Sequence, residues 1–507
     1  MFGQYAYDRY WITGAATVQD SIHFSGTCLL DFAKDPPSNK LYKIYGSPGE
    51  GSVSIMSDEK GIPQFYSNGC KIWNIDGNEL LYGDSLNFGG SFWETQCVWL
   101  KDNYPAHYQG MLALPFPNSS AKYELFHLYA DGKAYNCRSL LHTTIDMSKA
   151  SGKGAVTSKN NMIMMDSLSD GISAVRHGNG RDWWVFNSVF GADYAYLSLL
   201  TPQGVQATKQ VKSLGHWDGP STAGYIIGQS VFSPDGNLFA RIDLVQDSFG
   251  NNGLEIAHFD RCTGDFFCPI KIPWSSQLDH SVYPGDYQIA CGVAFSPNSR
   301  FLYVSTGVQL YQFDMWAKDV ANSSILVGEY DGFLSGPFPT TYFLLELAAN
   351  GKIYMNGTNG FRYFHVINNP DEKGTACNFE NHGFELLTVH GWSMHNFPNY
   401  RLFDFADSPC DTLGINAPDG YEVTRRNRKL QVLPNPTDDM AKVEIPVCRH
   451  GRLCVYTVLG QLLKTYNEVD DKDSILIDTN YLPAGAYFVT LFSAGEKPLT
   501  AKMIVAH

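Results

Sequence analysis

The sequence predicts an all-β protein built as one large unit followed by one small one. Three observations lead there: tight-turn dipeptides are abundant, one strand–turn–strand unit recurs, and the texture changes after Asp404. Seven Asp-Gly and six Asn-Gly pairs favour the positive φ of two-residue hairpin turns. Aromatic residues reach 14% while charged residues are held to 17%, a balance suited to pleated sheets on which rings pack well. At 507 residues one ordinary core does not suffice, so two domains or a large repeat array is expected.

The clearest repeats are Val231-Phe-Ser-Pro-Asp-Gly-Asn-Leu-Phe-Ala240, Ala294-Phe-Ser-Pro-Asn-Ser-Arg-Phe-Leu-Tyr-Val-Ser305 and Leu347-Ala-Ala-Asn-Gly-Lys-Ile-Tyr-Met355. Weaker copies begin at Ser57 and Arg176, and Met111 to Tyr129 holds two strand-like runs around Asn118-Ser-Ser. In each, the turn reverses the chain and apolar alternation buries one strand face. Successive copies lie roughly 50 to 65 residues apart, the range of four-stranded propeller blades with insertions. With the N-terminal strands (Trp11-Ile12, then His23 to Phe32) pairing near Phe397 to Phe403, about seven blades would close without exposed edges.

These repeats resemble the WD40-like β-propeller family whose blades carry a Phe-Ser-Pro-Asp-Gly turn. The stretch from His365-Val-Ile-Asn-Asn-Pro-Asp to Cys377-Asn-Phe, with Asn396-Phe-Pro-Asn-Tyr400, is similar to a blade of secreted proteins from bacteria that use type IX export. The expected propeller covers 1–405, followed by a turn-rich linker over 406–429 and a compact β unit over 430–507, sized for a small Ig-like sandwich. Its strands are expected at Lys442 to Val447, Leu453 to Val458, Ile475 to Ile477 and Tyr487 to Phe492.

That tail resembles the type A sorting domain of type IX secretion in four ordered blocks. They are Leu433-Pro-Asn-Pro-Thr437, Val455-Tyr-Thr-Val-Leu-Gly-Gln461, Leu482-Pro-Ala-Gly-Ala-Tyr-Phe-Val489 and Lys502-Met-Ile-Val505. The motif positions are Pro434, Asn435, Pro436, Gly460, Leu482, Pro483, Ala484, Gly485 and Tyr487. The resemblance implies that the secretion machinery handles 430–507 and that the protein reaches the cell surface or the medium. Export through the periplasm also implies a signal peptide, yet Met1 leads directly into Phe2-Gly3-Gln4-Tyr5; the numbering is expected to start near a cleavage point.

The net charge of −14 argues against a nucleic-acid surface, which needs clustered Lys and Arg. The one basic cluster, Arg425, Arg426, Arg428 and Lys429, falls in the linker. No apolar run approaches the roughly 20 residues that span a bilayer. Eleven cysteines contain no Cys-x-x-Cys pair, and export favours disulfides. Cys262 with Cys268, Cys377 with Cys410 and Cys448 with Cys454 are the candidate pairs, with buried free thiols as the alternative.

No nucleophile elbow, zinc helix or phosphate loop occurs, and no catalytic residue, cofactor or metal is assigned. The trio His382, His390 and His395, near Glu380 and Glu385, could hold zinc if it converged, but loop or capping roles are favoured. The Asp243 to Glu255 loop, with Asp247, Asn251 and Asn252, offers oxygen ligands without EF-hand spacing. Trp183, Trp184, Trp217 and Trp392 are candidate stacking platforms, although adjacent Trp183 and Trp184 would point to opposite sheet faces. The favoured function is a non-catalytic module binding a surface glycan or protein; the alternative is a secreted hydrolase or lyase acting at the channel mouth.

Overall fold

The computed structural model describes all residues except 1–5, 15–24, 44–51, 100–103, 105–107, 131–136, 190–191, 193, 207, 213–227, 244–252, 275–290, 318, 406–409, 411–412, 414–429, 446–451, 467–468, 470–473 and 493–498. It is all-β, and before the tail its sheets are antiparallel and follow one another in chain order. The first sheet is Tyr10–Gly14, Thr27–Asp31 and Ser38–Leu41; the second is Ser54–Ser57, Pro63–Ser67 and Ile72–Asn74. An eight-stranded sheet then runs from Met111–Pro115 to Gly204–Val205, with Lys209–Lys212 beside Tyr194–Thr201. Three four-stranded sheets follow, opening on Gln229–Phe232, Cys291–Phe295 and Leu345–Leu347.

All six expected repeat hairpins are present, each turn sitting between paired strands. The eight-stranded sheet is two meanders sharing one strand. Ala155–Arg176 pairs with Cys137–Asp146 along its first part and with Trp183–Val189 from Leu168 onward. The register shifts repeatedly along the strand, as bulges or irregularities do, and one long strand serves both halves.

Apolar clusters connect the sheets in succession. Ile12 and Leu29 of the first sheet pack with Ile55 and Tyr66 of the second. Phe65 of the second shares a core with Leu112 and Leu125. The far half of the large sheet, through Trp184 and Phe186, meets Phe239 and Phe259. Ile242 meets Val293, and Tyr303 meets Leu345 and Ile353. Finally Tyr354 and Phe364 of the last of these sheets pack on Trp11 and Leu30 of the first.

The structure corrects the expected closure near Phe397 to Phe403, where no strand forms. Residues 388–405 instead run as an irregular strap whose side chains satisfy backbone groups of several sheets. His395 Nε2 accepts the Ile12 N–H at 2.9 Å. Asn396 Nδ2 donates to the Met111 and Ile172 carbonyls at 3.3 and 2.6 Å. Asn399 donates to the Pro234 carbonyl at 2.7 Å, and the Tyr400 hydroxyl donates to the Ala113 carbonyl at 2.7 Å. Strand pairing needs a continuous free edge, whereas this segment serves isolated carbonyls on different sheets.

The cysteine pairings are also corrected. Among the described residues the disulfides are Cys70–Cys97 and Cys262–Cys410. Cys262 lies in the turn between Gly253–Asp260 and Asp265–Pro273, where Asp260 faces Asp265, so it is not opposite Cys268. Cys377 is a buried free thiol in the cluster beneath Tyr303. Cys454 is likewise free and buried, and Cys448 lies outside the described residues. The Cys262–Cys410 bridge packs against Gly178, where an added Cβ would meet both sulfurs. Gly178→Ala should therefore lower stability by about 1–3 kcal/mol, as overpacking does; an unchanged urea midpoint would show that the bridge shifts aside freely.

The tail has two antiparallel sheets. Gln431–Leu433, Met440–Glu444 and Ser474–Asp478 form one; Leu462–Tyr466, Arg452–Thr457, Gly485–Phe492 and Leu499–Val505 form the other. Both contribute to one apolar cluster whose buried members run from Leu430 to Val505 and include no earlier residue. The expected strands are present; Gln431–Leu433, Leu462–Tyr466 and Leu499–Val505 are additional.

Candidate ligand cavity and sorting tail

Three successive repeat copies converge on one cavity of about 230 Å³. Val231, Phe232 and Pro234 come from the first copy, Ala294, Phe295 and Pro297 from the second, and Leu347, Ala348, Ala349 and Gly351 from the third. Phe397, Pro398 and Asn399 of the strap supply another wall, and Asp8, Glu346 and Arg401 supply its ionisable groups.

Repeat alignment explains why Glu346 reaches this place. Matching Phe-Ser-Pro-Asp-Gly from Phe232 with Leu-Ala-Ala-Asn-Gly from Leu347 sets Glu346 where the other copies carry Val231 and Ala294. Alternation along Leu345–Leu347 sets the Glu346 side chain across the strand from those of Leu345 and Leu347, and all three residues border the cavity at this strand. Leu345 and Leu347 pack in the cluster shared with the preceding sheet. Glu346 is only 6% exposed.

The electrostatics of the two carboxyls differ. Arg401 Nη1 and Nη2 donate to Asp8 Oδ2 and Oδ1 at 2.7 and 2.6 Å, a bidentate pair of the strong, oriented kind. Asp8 itself is 5% exposed. Burial pushes the Glu346 pKa well above the ordinary carboxyl value; the Asp8 charge adds to this, and the Phe397 backbone N–H opposes it. Tyr400, fully buried beside both carboxyls, is held far above its usual value by burial and then by the Asp8 and Glu346 charges. Desolvation thus favours the protonated form of Glu346.

The histidine trio does not converge. His382 Nε2 bonds the Thr340 hydroxyl at 2.7 Å, with Asp331 at 3.6 Å from the other nitrogen. His390 Nδ1 donates to the Gly391 carbonyl, and His395 serves Ile12. Among the described residues no three His, Cys, Asp or Glu side chains gather as metal ligands do. Asp247, Asn251, Asn252 and Trp217 lie outside the described residues. Trp183 and Trp184 are both buried, in different clusters, as strand alternation requires; Trp392 is 42% exposed.

In the tail, the motif residues bind its ends together. Asn435 donates to the Lys502 carbonyl at 2.7 Å and accepts the Ile504 N–H at 2.8 Å. Leu433–Pro434 and Asn435–Pro436 are cis. Gly460 has φ +79°, the left-handed geometry its turn needs. Leu482 is buried in the core, and the Tyr487 hydroxyl donates to the Pro483 carbonyl at 2.7 Å, closing the turn that holds Ala484 and Gly485. The first block therefore clamps the last strand.

Residues 431–506 match the family described as secretion system C-terminal sorting domain. The tail is a sorting domain. The protein is thus secreted or surface-attached by type IX secretion, whose machinery handles this tail. Among the described residues no helix is long and apolar enough to cross a membrane.

No curated protein matches the chain. Among solved structures, the extracellular domain of BT4673 from B. thetaiotaomicron is similar at 9% identity and TM-score 0.36, covering 100% of this chain and 56% of that one. This chain thus spans little more than half of that neighbour. A functionally unknown Desulfotomaculum acetoxidans protein aligns at 11% identity and TM-score 0.31, over 73% of this chain and 89% of that one. Kluyveromyces lactis Hsv2p aligns at 9% identity and TM-score 0.33, over 70% and 91%. Likenesses at this level leave the fold to be read from the strand topology itself.

With the sorting tail assigned, its clamp is testable. Asn435→Ala removes both bonds to the last strand and should loosen it by about 1–3 kcal/mol. Amide exchange at Ile504 should then quicken in the full chain; unchanged exchange would contradict the clamp.

Proposed function

We propose that the protein is an exported seven-bladed β-propeller that binds a small ligand in this cavity without turning it over. The ring reading is supported by the succession of apolar clusters from sheet to sheet and back to Trp11. Counted in two meanders, the shared strand Ala155–Arg176 would make seven blades, which supports this reading. The propeller would occupy 1–405, the linker 406–429 and the sorting domain 430–507, in keeping with a tail core that draws on no residue before Leu430. Displayed outside the cell, the cavity would meet a ligand offered by a surface glycan or protein.

The observation that favours binding over hydrolysis is the occupation of Asp8. Glycoside hydrolysis needs two carboxyls acting on one bond, and here both oxygens of Asp8 are held by Arg401. Among the described residues that line the cavity, Glu346 is the remaining carboxyl. Incubation with oligosaccharide and peptide mixtures, followed by mass spectrometry, should return any bound molecule chemically unchanged. Product that forms with the native chain and disappears with Glu346→Gln would overturn this reading.

A further inference from the structure

The geometry points to a cationic ligand: we propose that the cavity takes an ammonium group carried on an apolar shaft, with Glu346 as its counter-ion. This rests on the cavity being a ligand site and specifies what that site accepts.

Glu346 breaks its own repeat. The equivalent positions hold Val231 and Ala294, which suit an apolar wall and need no partner. A carboxyl there is nine-tenths buried, lines the cavity, and among the described residues has no cation paired with it. Among the described residues the charged and titratable groups around it are Asp8, Arg401 and Tyr400, with Tyr7 against the Tyr400 ring. Arg401 is the one cation of that set, and Asp8 holds it on both oxygens. Ionised Glu346 would therefore leave one uncompensated negative charge among apolar walls, which is costly.

A ligand ammonium supplies the missing charge. An anion would meet two carboxyls, and a neutral ligand would gain nothing from Glu346 over the valine of another copy. The walls fit the rest of such a ligand: Phe232, Phe295 and Phe397 border the cavity, offering apolar contact for a shaft. The proton balance follows. Burial favours the protonated form of Glu346; to the extent that the proton is held there, binding sends it to solvent and the carboxylate pairs with the ammonium. Binding should accordingly tighten as pH rises, until Glu346 ionises unaided.

The test is calorimetric titration of the full chain with n-butylammonium and, as its neutral match, n-butanol. Two buffers of different ionisation enthalpy give the proton count, at about pH 6 and about pH 8. The ammonium should bind with net release of protons, and its affinity should rise with pH. Glu346→Gln should lose roughly tenfold or more in ammonium affinity, together with the proton release. Glu346→Val, which installs the residue of another repeat copy, should keep the fold and bind n-butanol but not the ammonium. Equal binding of both probes, or no proton release, would overturn the cationic class while leaving the cavity a ligand site. Displacement of neither probe by substitutions at Phe295 and Phe397 would overturn the site itself.

Discussion

Lowering the pH from about 7.5 to about 5 should destabilise the protein by several kcal/mol, because four buried histidines must stay neutral in the folded state. Burial pulls His127, His365 and His395 down to about 3, and His390 to about 4. The His142 charge adds to burial at His127, and the His382 and His390 charges add to it at His365. Their unfolded value is near 6.5, so their contribution is complete above that pH and lost as pH falls toward 3. At pH 5 each costs about 2 kcal/mol if all unfold in one transition. Glu346 works in the opposite direction: its raised folded pKa makes its contribution complete below about 4.5 and smaller as pH rises. Asp31 and Asp314 have lowered folded pKa values, in each case through hydrogen bonds that outweigh burial, so their losses begin below about 3.9 and do not confuse the window. Urea midpoints at the two pH values decide the matter. A midpoint that stays level would mean the histidines reach solvent in the folded protein.

Removing the Cys262–Cys410 bridge should cost about 5 kcal/mol, more than removing Cys70–Cys97, at about 3–4 kcal/mol. The difference follows from the chain each closes, 148 against 27 residues of sequence separation. The longer bridge also fixes the end of the strap. Phe405 N–H donates to the Gly178 carbonyl at 2.7 Å, and Arg261 reaches the Phe403 carbonyl and, at 2.8 Å, that of Arg176. A paired Cys262→Ala, Cys410→Ala variant should therefore melt lower than Cys70→Ala, Cys97→Ala and expose the strap to protease first. The reverse order of melting would show that the strap is held without its covalent anchor.

The hairpins were legible because turn chemistry and alternation are local signals: Pro234-Asp235-Gly236 and the strands around it say the same thing twice. The tail was legible through its motif blocks. The strap was not, because its order comes from single side chains such as Asn396 and Asn399 reaching carbonyls far away in sequence. Disulfide partners escaped for the same reason: Cys410 finds a turn 148 residues earlier, and spacing favours nearer cysteines. Glu346 lies in no recognised motif, yet the sequence carries a signal for it. Aligning the repeat copies sets it against Val231 and Ala294, and a charge where siblings are apolar marks a departure from packing. What alignment alone could not supply is that Asp8, more than 300 residues away, already has its cation.

A crystal structure of the exported protein soaked with n-butylammonium tests the whole account at once. The nitrogen should lie against the Glu346 carboxyl, the alkyl chain along Phe295 and Phe397, and the Asp8–Arg401 pair should stand undisturbed. An intact cavity with the ammonium bound elsewhere, or with Arg401 swung from Asp8 onto Glu346, would contradict it.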